Sequence, residues 1–282
     1  MTLSTFTAAV AALVMGIGLS AGTAIAQSVV APAGAETDEV WSGLVTDVFD
    51  GRPMQDGAGI IELEAPYRAE DAAIVPMAMN VKLPPNDTRS IRKVTLVIDQ
   101  NPAPVAAVFE LGEKAGIERI ETRVRVNMYS KVHAVAEASD GTLYMTEKFV
   151  KASGGCSAPA NKDAVAALKN LGQMKLRQFA AATPAPGTER REAQVMLRHP
   201  QYSGLQMDQV TRNYIPAWFI SDLTVRQGED MLLKVSGGIS LSEDPNIRFS
   251  YLSNGADTIT VDAIDTEQKV FRSSFPVENG GS

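Results

Sequence analysis

Cysteine is almost missing from this chain: of 282 residues, only Cys156 carries a thiol. An internal disulfide is excluded, so stability has to come from a core, and metal sites built on paired cysteines are excluded with it. Histidine is nearly as scarce. His133 and His199 lie far apart in the chain, which provides neither a local metal cluster nor a readable base for cysteine catalysis, and each reads better as a satisfied sandwich or loop residue. Met77 and Met79 would suit copper(I), but alternation places them with Val81 and Leu83 on one face, which favours core packing. Positive charge is also short: 26 Lys and Arg against 33 Asp and Glu give a formal net charge of −7. With no basic block, a nucleic-acid partner is excluded. The run Glu189-Arg190-Arg191-Glu192 is charge-balanced and reads as a solvated linker edge. There is no Gly-x-Ser-x-Gly elbow, phosphate loop or dinucleotide fingerprint. No catalytic residue, metal or cofactor is therefore expected.

Before Glu36 there is no charged side chain at all. An apolar run from Ala8 to Leu19 leads into Ala24-Ile25-Ala26, the small-x-small pattern of a signal-peptidase site, so residues 1–26 read as a signal peptide cleaved before Gln27. The lack of Lys or Arg ahead of the apolar run argues against this reading. The alternative, a membrane anchor, is disfavoured because Ala and Gly make a poor spanning helix. No membrane association is expected after cleavage.

What remains is ordinary globular material, 45% hydrophobic and 21% charged, and its length suggests two domains of roughly 100–150 residues. Thr37 is placed to cap a helix with Val40, Trp41, Leu44, Val45 and Val48 as its apolar stripe, ending near Asp50-Gly51. Thereafter the period is two. In the stretch from Ile120, residues Ile120, Thr122, Val124 and Val126 face one way while Glu121, Arg123 and Arg125 face the other. Asp140-Gly141 signals a hairpin. About seven such strands argue for an immunoglobulin-like sandwich over 36–160. The pattern breaks at Lys151 to Asn161. A helix is expected from Asp163 to Phe179, then a Pro/Ala-rich linker over Ala180 to Gly187, so 161–188 is read as a connector. Strands resume from Gln194 to Phe275, predicting a second, smaller sandwich over 189–282. The expected fold class is all-β: two immunoglobulin-like β-sandwiches joined by a helix and linker, with a short N-terminal helix.

Cys156 stands out by its surroundings. Gly154 and Gly155 free the backbone, and neither they nor Ser153 and Ser157 wall off a sulfur, so an accessible, used thiol is expected. Lys151 is the nearest cation in sequence, and nothing nearby guarantees a lowered pKa. The alternative is a buried structural cysteine, which the lack of apolar neighbours disfavours.

These residues carry a resemblance. The segments "IIELEAPYRAEDAAIVPMAMNV", "DQNPAPVAAVFELGEKAG", "IETRVRVNMYSKVHAVAEASDGTLYMTE" and the closing "GGC" resemble SoxY, the cysteine-bearing half of a periplasmic sulfur carrier. From Ala193 to Phe275, "LRHPQYSG", Ile215-Pro216 and "ISLSEDPNIRFSY" resemble SoxZ. Because both are in one chain, it looks most like the SoxYZ-like carriers associated with quinoprotein dehydrogenases. The resemblance implies a periplasmic, non-enzymatic protein whose Cys156 covalently holds a sulfur-type cargo on a hinge of Gly154 and Gly155. Its partners would be periplasmic redox enzymes, c-type cytochromes or a quinoprotein dehydrogenase. SoxY ends just after its cysteine, whereas here the segment runs on and is tethered at both ends. Two other readings stay open: a noncatalytic assembly partner of such a dehydrogenase, in which Cys156 is dispensable, and a metallochaperone using Cys156 with methionines.

Overall fold

The computed structural model describes residues 33–159, 168–179 and 190–278. The signal peptide, most of the connector and the linker fall outside these residues. One helix leads, α1 (Ala33–Phe49). The first half continues with β1 (Met54–Asp56), β2 (Ile61–Glu64), β3 (Val75–Val81), β4 (Ile91–Ile98), β5 (Val105–Leu111), β6 (Arg119–Val124), β7 (Ser130–Ala138) and β8 (Leu143–Val150). The second half holds β9 (Met174–Phe179), β10 (Arg190–Leu197), β11 (Ile220–Gln227), β12 (Asp230–Gly237), β13 (Asn246–Leu252), β14 (Thr258–Asp265) and β15 (Val270–Pro276).

The all-β sandwich is present, and its two halves share their sheets. A nine-stranded sheet runs β1-β8-β7-β4-β5-β12-β11-β14-β15, and a six-stranded sheet runs β2-β3-β6-β13-β10-β9. Each half supplies strands to both layers, and the halves join edge to edge. Along one seam β5 pairs antiparallel with β12, with Leu111 opposite Leu233 and Phe109 opposite Val235. Along the other, Glu121 and Ile120 of β6 meet Arg248 and Phe249 of β13. Edge strands left open would present unpaired backbone groups, and here each half closes the other's edge. A single buried cluster runs through both halves, from Leu63, Met77 and Met79 to Phe249 and Tyr251. The methionines are core residues, as alternation predicts.

Helix α1 lies on the other face of the larger sheet. Val97 and Val135 point away from the main core because their neighbours Leu96, Ala134 and Ala136 point into it. Trp41, Leu44, Val48 and Phe49 cover them. The helix begins at Ala33, so Thr37 lies inside it and does not cap it. It ends where expected: Asp50 and Gly51 turn left-handed, with φ of 55° and 65°, and Gly51 N–H reaches back to Val45 C=O at 3.1 Å. The predicted hairpin at Asp140-Gly141 is also present, with Gly141 at φ 86° and Asp140 Oδ1 accepting from Thr142 N–H at 3.0 Å.

The expected helix to Phe179 is corrected. Only Leu168 and Lys169 are helical among the described residues of that stretch, and Met174–Phe179 is an edge strand paired with β10. Its alternation of apolar Met174 and Leu176 with Lys175 and Arg177 has period two, which a window centred on Val165, Leu168 and Leu171 obscured.

Candidate functional site

Strand β8 delivers the chain to Lys151, whose N–H donates to Tyr67 C=O at 2.8 Å. The segment then crosses the end of β6 and meets the second half. Gly154 sits at φ 78°, a conformation that favours glycine. Its N–H donates to Asn127 C=O at 2.8 Å, and Gly155 N–H donates to Val126 C=O at 3.1 Å. A Cβ on Gly155 would lie 2.0 Å from Ala72 O, so this glycine permits a close backbone approach. In the arrangement described, both glycines of the expected hinge are fastened.

Cys156 is not exposed: its relative accessibility is 0%. This overturns the expectation of an accessible thiol. The cover comes from residues remote in sequence. Ser203 Oγ donates to Cys156 C=O at 2.5 Å, and Gln206 Nε2 donates to Ala158 C=O at 3.0 Å. Ser203 and Gln206 are tied together, Ser203 N–H donating to Gln206 Oε1 at 3.2 Å. Local composition around a cysteine says little about what a second half lays over it.

Beneath the segment lies Arg125, 2% exposed and among the largest fully buried side chains. Alternation correctly puts it opposite Val124 and Val126; what it cannot reveal is that this face is covered there. Arg125 Nη1 donates to Gly155 C=O at 3.2 Å, and Nη2 donates to Gln201 C=O at 3.4 Å. Its Nε–H has no acceptor among the described residues. Its backbone is fixed as well, N–H to Ser240 C=O at 2.7 Å and C=O accepting from Asn101 Nδ2 at 2.7 Å. Asn101 Oδ1 accepts from Asn127 N–H at 2.8 Å, which links the Arg125 support to the residue that holds Gly154.

Charge at this site is a contest between burial and attraction. Burial pushes the Cys156 thiol up to about 11, against the partial pull of Arg125. Burial also lowers the Arg125 pKa, and Cys156, Glu243 and Asp71 oppose that shift. A thiol held this way is protonated near neutrality and a poor nucleophile. Reaction at sulfur thus requires either that the segment leave its seat or that negative charge form beside Arg125.

Both histidines are buried in the fold. His133 is buried, stacked on Trp41 with ring centroids 3.6 Å apart, with Nε2 3.1 Å from Asp99 Oδ2. His199 is buried edge-on to Trp218, whose indole N–H donates to Asp265 Oδ2 at 2.9 Å. Among the described residues no group of three or more His, Cys, Asp or Glu is placed to hold a metal ion. Ser203, Gln206 and Arg125 are the site residues that the sequence did not single out. Only the first two carried a signal, lying within or beside "LRHPQYSG".

Comparison with known proteins finds two family matches in the chain. Residues 45–156 match the family model for sulfur oxidation protein SoxY, and residues 181–276 match that for sulphur oxidation protein SoxZ. No curated protein sequence matches. Among solved structures, the sulfur carrier protein SoxY from Chlorobium limicola f thiosulfatophilum is 22% identical over 42% of this chain and 96% of that one, with a TM-score of 0.35. A superoxide reductase (neelaredoxin) variant from Ignicoccus hospitalis is 13% identical over 39% of this chain and 90% of that one, with a TM-score of 0.30. Likeness this slight carries neither protein's chemistry across.

Proposed function

Because this one polypeptide joins a SoxY domain to a SoxZ domain, we propose that it is a covalent carrier: Cys156 holds a sulfur-type cargo while other proteins perform the chemistry. The observation that carries this reading is positional. The SoxY match ends at residue 156, which is the only cysteine of the chain. Attaching a cargo through an anionic sulfur atom forms one S–S bond, releases the thiol proton and leaves two electrons. Those electrons need a separate acceptor, so the partner class is a redox enzyme, such as a c-type cytochrome or a quinoprotein dehydrogenase. The apolar run from Ala8 to Leu19, followed by Ala24-x-Ala26, supports a periplasmic setting for that encounter.

Burial of Cys156 gives the carrier two states. In the seated state the thiol is neutral and sheltered. In the released state the bonds to Asn127, Val126, Ser203 and Gln206 are broken, and the sulfur can reach a partner. Burial also favours a second reading, in which the chain is a noncatalytic assembly partner of a periplasmic quinoprotein dehydrogenase and Cys156 only packs. The intact mass of the protein isolated from its native compartment separates the two. An adduct on Cys156 that reductant removes is expected; uniformly unmodified protein recovered under conditions of active sulfur metabolism would overturn the carrier reading.

A further inference from the structure

Beside the seated cysteine segment lies a cleft of about 800 Å³, bordered by Ala158 and Pro159 of that segment and by residues of both halves. Its lining reverses the charge of the molecule. In a chain of net charge −7, five cations gather here, Arg123 and Arg125 near the end of β6, Lys175 and Arg177 on β9, and Arg198 after β10, against three carboxylates, Asp71, Glu243 and Asp244. Arg198 is occupied with Asp244. Arg123 spends one nitrogen on Asp244 C=O at 3.4 Å. The buried Nε–H groups of Arg123 and Arg125 have no acceptor among the described residues. Lys175 and Arg177 are exposed.

Buried guanidinium N–H groups without an acceptor are rare, because desolvating a donor is unfavourable unless something accepts from it. A ligand with several acceptor oxygens and negative charge satisfies both the donors and the field, and the guanidinium fork is shaped for such oxyanions. We propose that this cleft is a noncovalent binding site for a small tetrahedral sulfur oxyanion, with Arg123 and Arg125 as its inner donors and Lys175 and Arg177 at its mouth. That the oxyanion is one of sulfur rests on the carrier reading; the anion site itself does not. Arg125 links the two functions, since the side chain that lines the cleft also holds Gly155 C=O. The volume leaves room for an adduct carried on the neighbouring segment as well as for a free ion.

Calorimetric titration of the full chain with sodium thiosulfate, at constant ionic strength and with sodium acetate as the control anion, tests the site. Thiosulfate is expected to bind more tightly than acetate. Lys175→Gln together with Arg177→Gln, both at exposed positions, should weaken thiosulfate binding roughly tenfold, as expected for lost charge-assisted contacts. Equal affinity for thiosulfate and acetate, or unchanged binding in the double variant, would overturn the proposal. Failure to bind thiosulfate by a protein that does acquire an adduct would remove the cleft while leaving the covalent carrier standing. Conversely, tight thiosulfate binding by a protein that never acquires an adduct would retain the cleft and remove the carrier.

Discussion

At Cys156, burial and the neighbouring guanidinium act in opposite directions, and burial wins. The thiol titrates near 11 in place of its ordinary value of 9.0. A group whose folded pKa is raised contributes stability below its unfolded pKa and loses it as pH rises towards the folded one. The seated state is therefore favoured below pH 9 and weakens between 9 and 11. The rate of thiol labelling should keep climbing through that window in the native protein, whereas in urea-unfolded protein it should level off near 9; coincident profiles would contradict a buried thiol. An accessible cysteine would also have made serine a silent replacement, and burial reverses that expectation. A hydroxyl placed in such a site without a partner costs roughly 1–3 kcal/mol, so Cys156→Ser should lower the thermal midpoint measurably. Gly155 offers a sharper test. Its missing side chain is what lets the backbone lie against Ala72, so Gly155→Ala should unseat the segment and speed labelling at neutral pH by about tenfold or more, since every 1.4 kcal/mol of lost seating is a factor of ten. Slow labelling in that variant would mean the clash is relieved elsewhere.

The segment from Lys151 to Pro159 behaves as an element whose stability comes from its neighbours. It has no ladder of its own. Apart from backbone contacts at Tyr67, Ala69, Asn127 and Val126, the fastening seen among the described residues comes from three side chains, Arg125, Ser203 and Gln206. Each neutral hydrogen bond contributes about 0.5–1.5 kcal/mol net. Replacing Ser203 and Gln206 by alanine together should increase native labelling of Cys156 roughly tenfold while the secondary structure content stays the same. An unaltered rate would show that the backbone contacts alone seat the cysteine. Elements of this kind are hard to read in a sequence, because their partners are set by tertiary contact. By contrast, β6 was legible down to the facing of each residue, and so was the turn at Asp140-Gly141, because period-two burial and turn chemistry are local signals. The end of α1 was legible for the same reason. Its start was not: the helix already includes Ala33, Gly34 and Ala35, ahead of the capping signal at Thr37. The strand at Met174 lay within a stretch that also satisfied a helical stripe at Leu168 and Leu171, and pairing with β10 decided the outcome. The Gly154-Gly155-Cys156 segment was legible as a break in the strand pattern, but its burial and its contact with Arg125 depend on a surface laid down by the other half of the chain.

At the scale of the molecule, the two halves are recognisable as separate matches in sequence and yet form one body. The β5–β12 seam joins the larger sheet, β6 meets β13 in the smaller one, and the buried cluster is continuous across both. Parting the halves would expose apolar residues such as Phe109, Leu233 and Phe249, and would leave four strands with open edges. Covalent connection in one chain raises the effective concentration of one half about the other, into roughly the millimolar range for a short linker, but the seams themselves supply the binding energy. A protease site engineered into 181–188 and then cut leaves β9 on the first fragment, paired with β10 of the second, and should therefore give a complex that co-elutes on gel filtration at micromolar concentration and unfolds in a single thermal transition, as one cooperative core requires. The uncut midpoint should exceed the cut one, and the difference should shrink as protein concentration rises, because association becomes bimolecular after cleavage. Two separately eluting, separately melting fragments would show that the shared sheets are not what holds the Cys156 segment against Ser203 and Gln206. The cysteine in the isolated first fragment should then label at the rate of a free thiol.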